Sequence, residues 1–304
     1  MWFIFALIGY ILLAIVFILD KYILTSAIVR PIVYTFYSTI FLLAVFLLWP
    51  FFSVPIPPTL TDLNWSIVSG FSFGLALYFM FVAVQKGEAS HIDPFLGAVI
   101  TIATAILSSV FLQEILVPLQ ITGIILLVGA SLLLSWEKTR KKSGFHIGFL
   151  FAILSGIAFA FSHVSAKYLY DLYSFWPAFV LTRGAIGLFG LCLLVSPVVR
   201  HSFSTKQKKI VPKKKKSLQT PTLVIIDKVL SVVAILAIQF AIAIGSVTLV
   251  NAMSGLQYAL MILIIYLCSR FAPQLFREYF TKKELVVESI ALVLVILGMA
   301  LLVV

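Results

Sequence analysis

The sequence predicts an all-α integral membrane protein of ten transmembrane helices, and three observations lead there. Hydrophobic residues make up 62% of the chain and charged residues only 11%, less than half the roughly 25% charge of a soluble globular protein. Ten separate apolar runs approach or exceed the roughly 20 residues that a helix needs to cross a hydrocarbon core. The basic residues fall almost wholly in alternate loops between those runs. Bilayer interior offers the backbone no water to bond, so each run must satisfy its own peptide groups as a helix. The same composition excludes a disordered chain, and two cysteines inside apolar runs, Cys192 and Cys268, make no disulfide framework.

The runs lie near 2–19, 31–52, 65–84, 94–112, 116–136, 145–166, 174–199, 228–249, 252–269 and 285–304. No basic residue precedes the first, and it is long for the apolar core of a secretory signal, so it is expected to stay as a span although Thr25, Ser26 and Ala27 follow it. The second opens on Pro31. The third carries the GxxxG pair Gly70 and Gly74, and the fourth a small-residue ridge of Gly97, Thr101, Ala105 and Ser109 before closing on Glu114. The sixth holds His163 and ends at Lys167; the seventh holds Arg183 and the glycines 184, 187 and 190. Small faces of this kind let helices approach closely. Residues 228 to 269 are almost continuously apolar, broken only by the polar stretch from Ser246 to Gln257, and their length suits two spans better than one.

Lysine and arginine number 22 against 11 acidic residues, a net charge of +11. All the basic residues except Lys167 and Arg183 fall in or at the edges of odd-numbered loops. Short loops rich in Lys and Arg stay cytoplasmic, so the odd loops are expected inside, both termini outside, and the chain in the cell membrane. The longest connection, 200–227, carries KQKK and PKKKK clusters. It is expected to meet anionic lipid headgroups rather than nucleic acid, since nothing aromatic is interleaved to stack on bases.

The chain also repeats itself. FILDKYIL at the end of the first span matches HVSAKYLY at the end of the sixth, so Lys21 and Tyr22 correspond to Lys167 and Tyr168. The same offset places Pro31 on Pro177 and Tyr37 on Arg183, and further on GEASHID pairs with GSVTLVN, Asp93 with Asn251. Five spans per copy is an odd number, so the second copy, 137–304, must enter the membrane from the side opposite to the first, 1–136. The expected architecture is two inverted five-helix repeats.

With these residues the chain resembles the drug/metabolite transporter superfamily, in particular proteins with two EamA-like five-helix domains. The most recognisable stretch is AVQKGEASHIDPFLGAVITIATAILSSVFLQE followed by ITGIILLVGASLLL, similar to a third span, a short turn, a fourth span closing on Glu114, and a fifth with Gly123 and Gly129. Arg183 stands where the family often has an arginine in the second span of a repeat, whereas the first repeat has Tyr37; the second has no clean counterpart of Glu114, with Glu278 and Glu284 competing. The resemblance implies a secondary transporter with a central cavity lined by spans three, four, eight and nine, and favours export.

An ionisable group inside a bilayer costs from about 2.5 kcal/mol upward, which makes each one a functional candidate. The candidate substrate contacts are Arg183, whose planar fork suits carboxylate or phosphate, with His163, Lys167, Lys21, Tyr37, Tyr78, Gln239, Asn251, Gln257 and Tyr258; Glu114 and His163 are the candidates for a coupling proton. Glu114 has a structural alternative as a helix-end contact, and Lys21 and Lys167 can snorkel to headgroups. No HExxH, GxSxG, GxxxxGK or Cys/His metal spacing occurs, so neither enzyme nor cofactor is expected. The expected function is alternating-access transport of a small polar or amphipathic metabolite, such as an amino acid or related anion, by a monomer or homodimer. A lipid or lipid-linked precursor flippase and a membrane scaffold recruiting partners through the basic loop remain the alternatives.

Overall fold

The computed structural model describes residues 1–26, 30–52, 59–87, 89–135, 147–203, 219–271 and 282–303. Among them it holds ten helical segments long and apolar enough to cross a membrane, and the protein is a multi-pass membrane protein. Its helices are α1 (Trp2–Ser26), α2 (Pro31–Thr39), α3 (Leu60–Lys86), α4 (Ala89–Phe111), α5 (Pro118–Ser135), α6 (Ile147–Leu172), α7 (Phe175–Cys192), a short α8 (Pro197–Ser202), α9 (Gln219–Ile244), α10 (Val247–Ala252), α11 (Ser254–Phe271) and α12 (Lys282–Val303). The cluster-bearing part of the basic loop, the boundary between the repeats at 136/137 and Glu278 lie outside the described residues, and so does the side chain of Glu284.

Five of the pairings between spans form a set with an exchange symmetry, whereas the contact of α3 with α7 has no comparable counterpart between α2 and α9 among the described residues. α1 lies against α9, and α3 against α6; α2 with its continuation lies against α7, α4 against α10 and α11, and α5 against α12. Numbered as spans, these pairings are 1 with 8 and 3 with 6, then 2 with 7, 4 with 9 and 5 with 10. Swapping the first five spans for the last five leaves the whole set unchanged. The α3/α6 contact is pinned by hydroxyls that bond across it: Ser69 Oγ donates to the Ser162 carbonyl at 3.0 Å and Ser155 Oγ to the Ala76 carbonyl at 2.8 Å. In lipid such bonds and close packing replace the hydrophobic drive that assembles a soluble core.

Two elements depart from uniform helix. The second span is α-helical only through Thr39 and continues as a 3-10 helix, Ile40–Phe51. Thr39 bonds its hydroxyl back to the Thr35 carbonyl at 2.8 Å at the change of winding. A 3-10 helix repeats every three residues, and α7 meets it with a glycine every three: a Cβ on Gly184 would strike the Phe46 ring, on Gly187 the backbone nitrogen of Leu43, and on Gly190 that of Ile40. The tight turn is thus matched to the row of small residues that the sequence places on span seven.

The ninth span is broken. The expected division between spans eight and nine within Ser246–Gln257 lies at its start: α9 ends at Ile244, Ser246 Oγ caps α10 by accepting from Leu249 N at 2.9 Å, and a turn at Met253 separates α10 from α11. The ninth span therefore begins at Val247 rather than near 252, which moves Asn251 from its edge to its interior. The equivalent position of the first repeat holds Pro94 inside α4, where proline removes a helical hydrogen bond.

At the opposite end of the bundle from Asp20, the loop side chains lock. Thr59 and Asp62 form a capping box on α3, and Tyr173, between α6 and α7, donates to Asp62 Oδ2 at 2.6 Å. That bond holds the half-buried phenol above its ordinary range, because losing the proton would place two anions in contact.

Candidate functional site

The broken ninth span, the helix pairings and the small faces surround a central cavity of about 150 Å³. Its walls come from α1, α2, α3, α4, α6, α7, α9 and the α10/α11 junction and are mainly apolar, with Phe17, Phe41, Phe73, Phe81, Phe159 and Phe179 prominent. The lining runs from Tyr10, halfway along α1, and Arg183 to Asp20 near the end of α1 and Lys228 early in α9. Both of those ends adjoin odd-numbered loops. The cavity thus extends from mid-bundle toward the face that carries the basic residues.

Arg183 is fully buried, and Nε, Nη1 and Nη2 all lack a hydrogen-bond partner. Its guanidinium carbon lies 5.0 Å from the centre of the Phe73 ring and 5.9 Å from that of Phe179. Aromatic faces attract a cation without using its N–H donors, so the fork is held in place and left unsatisfied. A buried charge in this condition is costly unless something pairs with it. Around the same cavity, Ser38 Oγ, Ser254 Oγ, Gln257 Nε2 and His163 Nδ1 are also buried without partners. Together they are a set dominated by donors, each without a hydrogen-bond partner in the protein.

Of the residues expected from sequence, Arg183, His163, Gln239, Asn251, Gln257 and Tyr258 all line this cavity. Asn251 is fixed by donating from Nδ2 to Thr104 Oγ1 at 3.1 Å while its carbonyl accepts from Thr101 at 3.3 Å. Gln239 accepts from the Tyr170 hydroxyl at 3.1 Å. Tyr258 fits because Gly97 has no side chain: a Cβ there would lie 2.0 Å from the Tyr258 ring.

The other expected residues do not line the cavity. Lys167 donates to the Ala243 carbonyl at 3.3 Å and pairs with Asp171 at 2.8 Å one turn on, tying α6 to α9. Tyr37 is exposed and packs edge-on against Phe36 and Phe203. Tyr78 is half-buried beside Phe79. Glu114 accepts from Thr248 Oγ1 at 2.6 Å, and Thr248 in turn shares a hydrogen bond with Ser108 at 2.7 Å, so the carboxylate joins the end of α4 to α10. The side chain of Lys21 lies outside the described ones. No group of three or more potential metal ligands occurs among the described residues; His91 Nδ1 instead meets the Leu134 carbonyl at 3.2 Å.

Sequence reasoning missed Tyr10, Ser38, Asp20, Lys228 and Ser254 as cavity residues. Asp20 and Lys228 sit at span ends, where a charge is ordinary, and nothing short of the fold brings α1 and α9 together.

Residues 1–136 match the EamA-like transporter family. A protein known from its crystal structure is similar over 98% of this chain and 94% of its own, with a TM-score of 0.63 and 15% sequence identity, which shows a shared fold. No curated protein matches the chain.

Proposed function

We propose, from the match of residues 1–136 to the EamA-like transporter family, that the protein is a secondary transporter of a small amphipathic anion, of the amino acid or related carboxylate type. The single observation that carries the substrate class is the buried Arg183 guanidinium with no protein partner on any of its nitrogens. A carboxylate would complete it by two parallel hydrogen bonds, Gln257 and Ser254 supply further donors, and the phenylalanine walls suit an apolar substrate body. Transport proceeds by alternating access, with export as the working direction, and the odd loops face the cytoplasm. The flippase alternative needs a polar groove open to acyl chains. What favours the enclosed site is that Arg183, Gln239, Asn251 and Gln257 are all almost completely buried.

A thermal-shift screen of the purified protein against amino acids and small carboxylates identifies the ligand, because a compound bound only by the folded state raises Tm. Flux of that compound is then measured in proteoliposomes. Arg183→Met is expected to abolish both the shift and the flux while the protein still folds; flux equal to wild type would remove Arg183 from the site.

A further inference from the structure

At the odd-loop end of the cavity, three helices bring together four polar groups that the substrate site does not use. Asp20 comes from α1, Tyr34 from α2, and Asp227 and Lys228 from α9. Lys228 Nζ lies 2.8 Å from Asp227 Oδ2 and 3.4 Å from Asp20 Oδ1, and its ammonium also sits over the Tyr34 ring, 4.3 Å from the centre. Asp20, Tyr34 and Asp227 are each more than nine-tenths buried. Two carboxylates therefore share one ammonium, leaving one negative charge in excess where desolvation opposes it.

The hydrogen bonds fall one proton short in the same place. The Tyr34 oxygen contacts Asp20 Oδ1, Asp227 Oδ2 at 3.1 Å and Lys228 Nζ at 3.0 Å. A phenol donates one proton and accepts two. It accepts from Lys228 and donates to one aspartate; its remaining contact, with the other aspartate, joins two oxygens that have no proton between them unless that carboxyl carries it. Asp227 Oδ1, also buried, has no partner at all. One added proton neutralises the surplus charge and completes the phenol's bonds.

We propose that Asp20, Tyr34, Asp227 and Lys228 form a proton-binding site that loads one proton, shared by the two aspartates, together with the anion. Asp20 and Lys228 line the same cavity as Arg183. Among the described side chains, Arg183 and Lys228 balance the two aspartates when both are ionised, and this set of four charges is neutral. Protonated, it carries one positive charge and draws in an anion, which restores neutrality. By linkage each ligand strengthens the other's binding. Of the remaining titratable groups, His163, Tyr10 and Tyr258 face the cavity from α6, α1 and α11, the buried Asp93 lies close enough to Tyr258 to interact with it electrostatically, and Glu114 is bonded to Thr248 outside the lining. The use of the proton rests on the transporter function proposed above; its binding does not.

Infrared difference spectra of the purified protein, acid minus alkaline and with no substrate added, read the site directly. The wild type is expected to show the C=O stretch of a buried carboxylic acid. Asp227→Asn and Asp20→Asn are each expected to lose it, because the carboxylate that remains is balanced by Lys228. Glu114→Gln is expected to keep the band, and His163 contributes no such signal. If either asparagine variant fails to fold, Tyr34→Phe is expected to shift the band by removing its hydrogen-bond partner. Persistence of an unshifted band in all folded cluster variants, no band at any pH, or its loss on adding Na⁺ at constant pH would each overturn the proposal, the last by making this a sodium site.

Coupling is read by titrating the carboxylate identified in the thermal-shift screen. On the alkaline side its affinity is expected to fall about tenfold per pH unit in the wild type and to be insensitive to pH in Asp227→Asn; the same pH slope in that variant overturns the coupling. If Arg183→Met leaves flux intact while the infrared band behaves as expected, the substrate site fails and the proton site stands.

Discussion

Arg183 and Lys167 are both basic residues away from the odd-numbered loops, yet their surroundings separate them. Arg183 lacks any hydrogen-bond partner, so replacing it with methionine removes a desolvation cost that outweighs the two ring contacts it gives up. Arg183→Met is expected to melt no lower than the wild type in the absence of ligand while flux is lost; a clear drop in Tm would instead mark the arginine as structural. Lys167 pairs with a half-exposed Asp171 and one carbonyl, and exposed pairs contribute roughly 1 kcal/mol or less. Lys167→Met is therefore expected to change stability by no more than that and to leave flux near the wild-type rate. The sequence could expose Arg183, His163 and Gln239 because a polar residue deep in an apolar run is an outlier. It could not expose the proton site. Asp20 reads as the neighbour of Lys21 and Lys228 as one more loop anchor, and their meaning lies in a contact between residues 208 positions apart in the chain.

Among elements, the fit of α7 to the 3-10 half of span two depends on missing side chains. A Cβ at Gly187 would lie 2.5 Å from the Leu43 backbone nitrogen, which cannot rotate away as a side chain could. Gly187→Leu is expected to cost about 1–3 kcal/mol by overpacking, measured as a fall in Tm. Glu114→Ala is expected to cost about 1 kcal/mol, since it leaves Thr248 without its acceptor. The glycine row was visible in sequence as a packing face. That its partner would wind as a 3-10 helix was not, because hydropathy gives span two only as an apolar run. The break at Met253 was half legible: the polar stretch marked a discontinuity but could not say which side of it Asn251 would join.

Over the whole molecule the usual arrangement of polarity is reversed. Ile4, Ile8, Ile11 and Ile15 form an exposed ridge on α1, while Arg183, Asp227, Gln239 and Asn251 lie within. Water could not support that surface; lipid can. The ten spans were legible because bilayer thickness fixes their length. Orientation rests on the basic loops alone, so a reporter fused at the C-terminus is expected to respond as an external one, and cytoplasmic activity there would reverse the assignment. The pairing of span two with span seven also limits how the halves can move. Three residues advance about 6 Å along a 3-10 helix but only about 4.5 Å along an α-helix, so the teeth at Ile40, Leu43 and Phe46 and the notches at Gly190, Gly187 and Gly184 have different pitches. Like the two scales of a vernier, they coincide in one register and lose it on any shift along the axis. The contact is a pivot rather than a rail, and the alternating-access stroke proposed above would be confined to rocking about it.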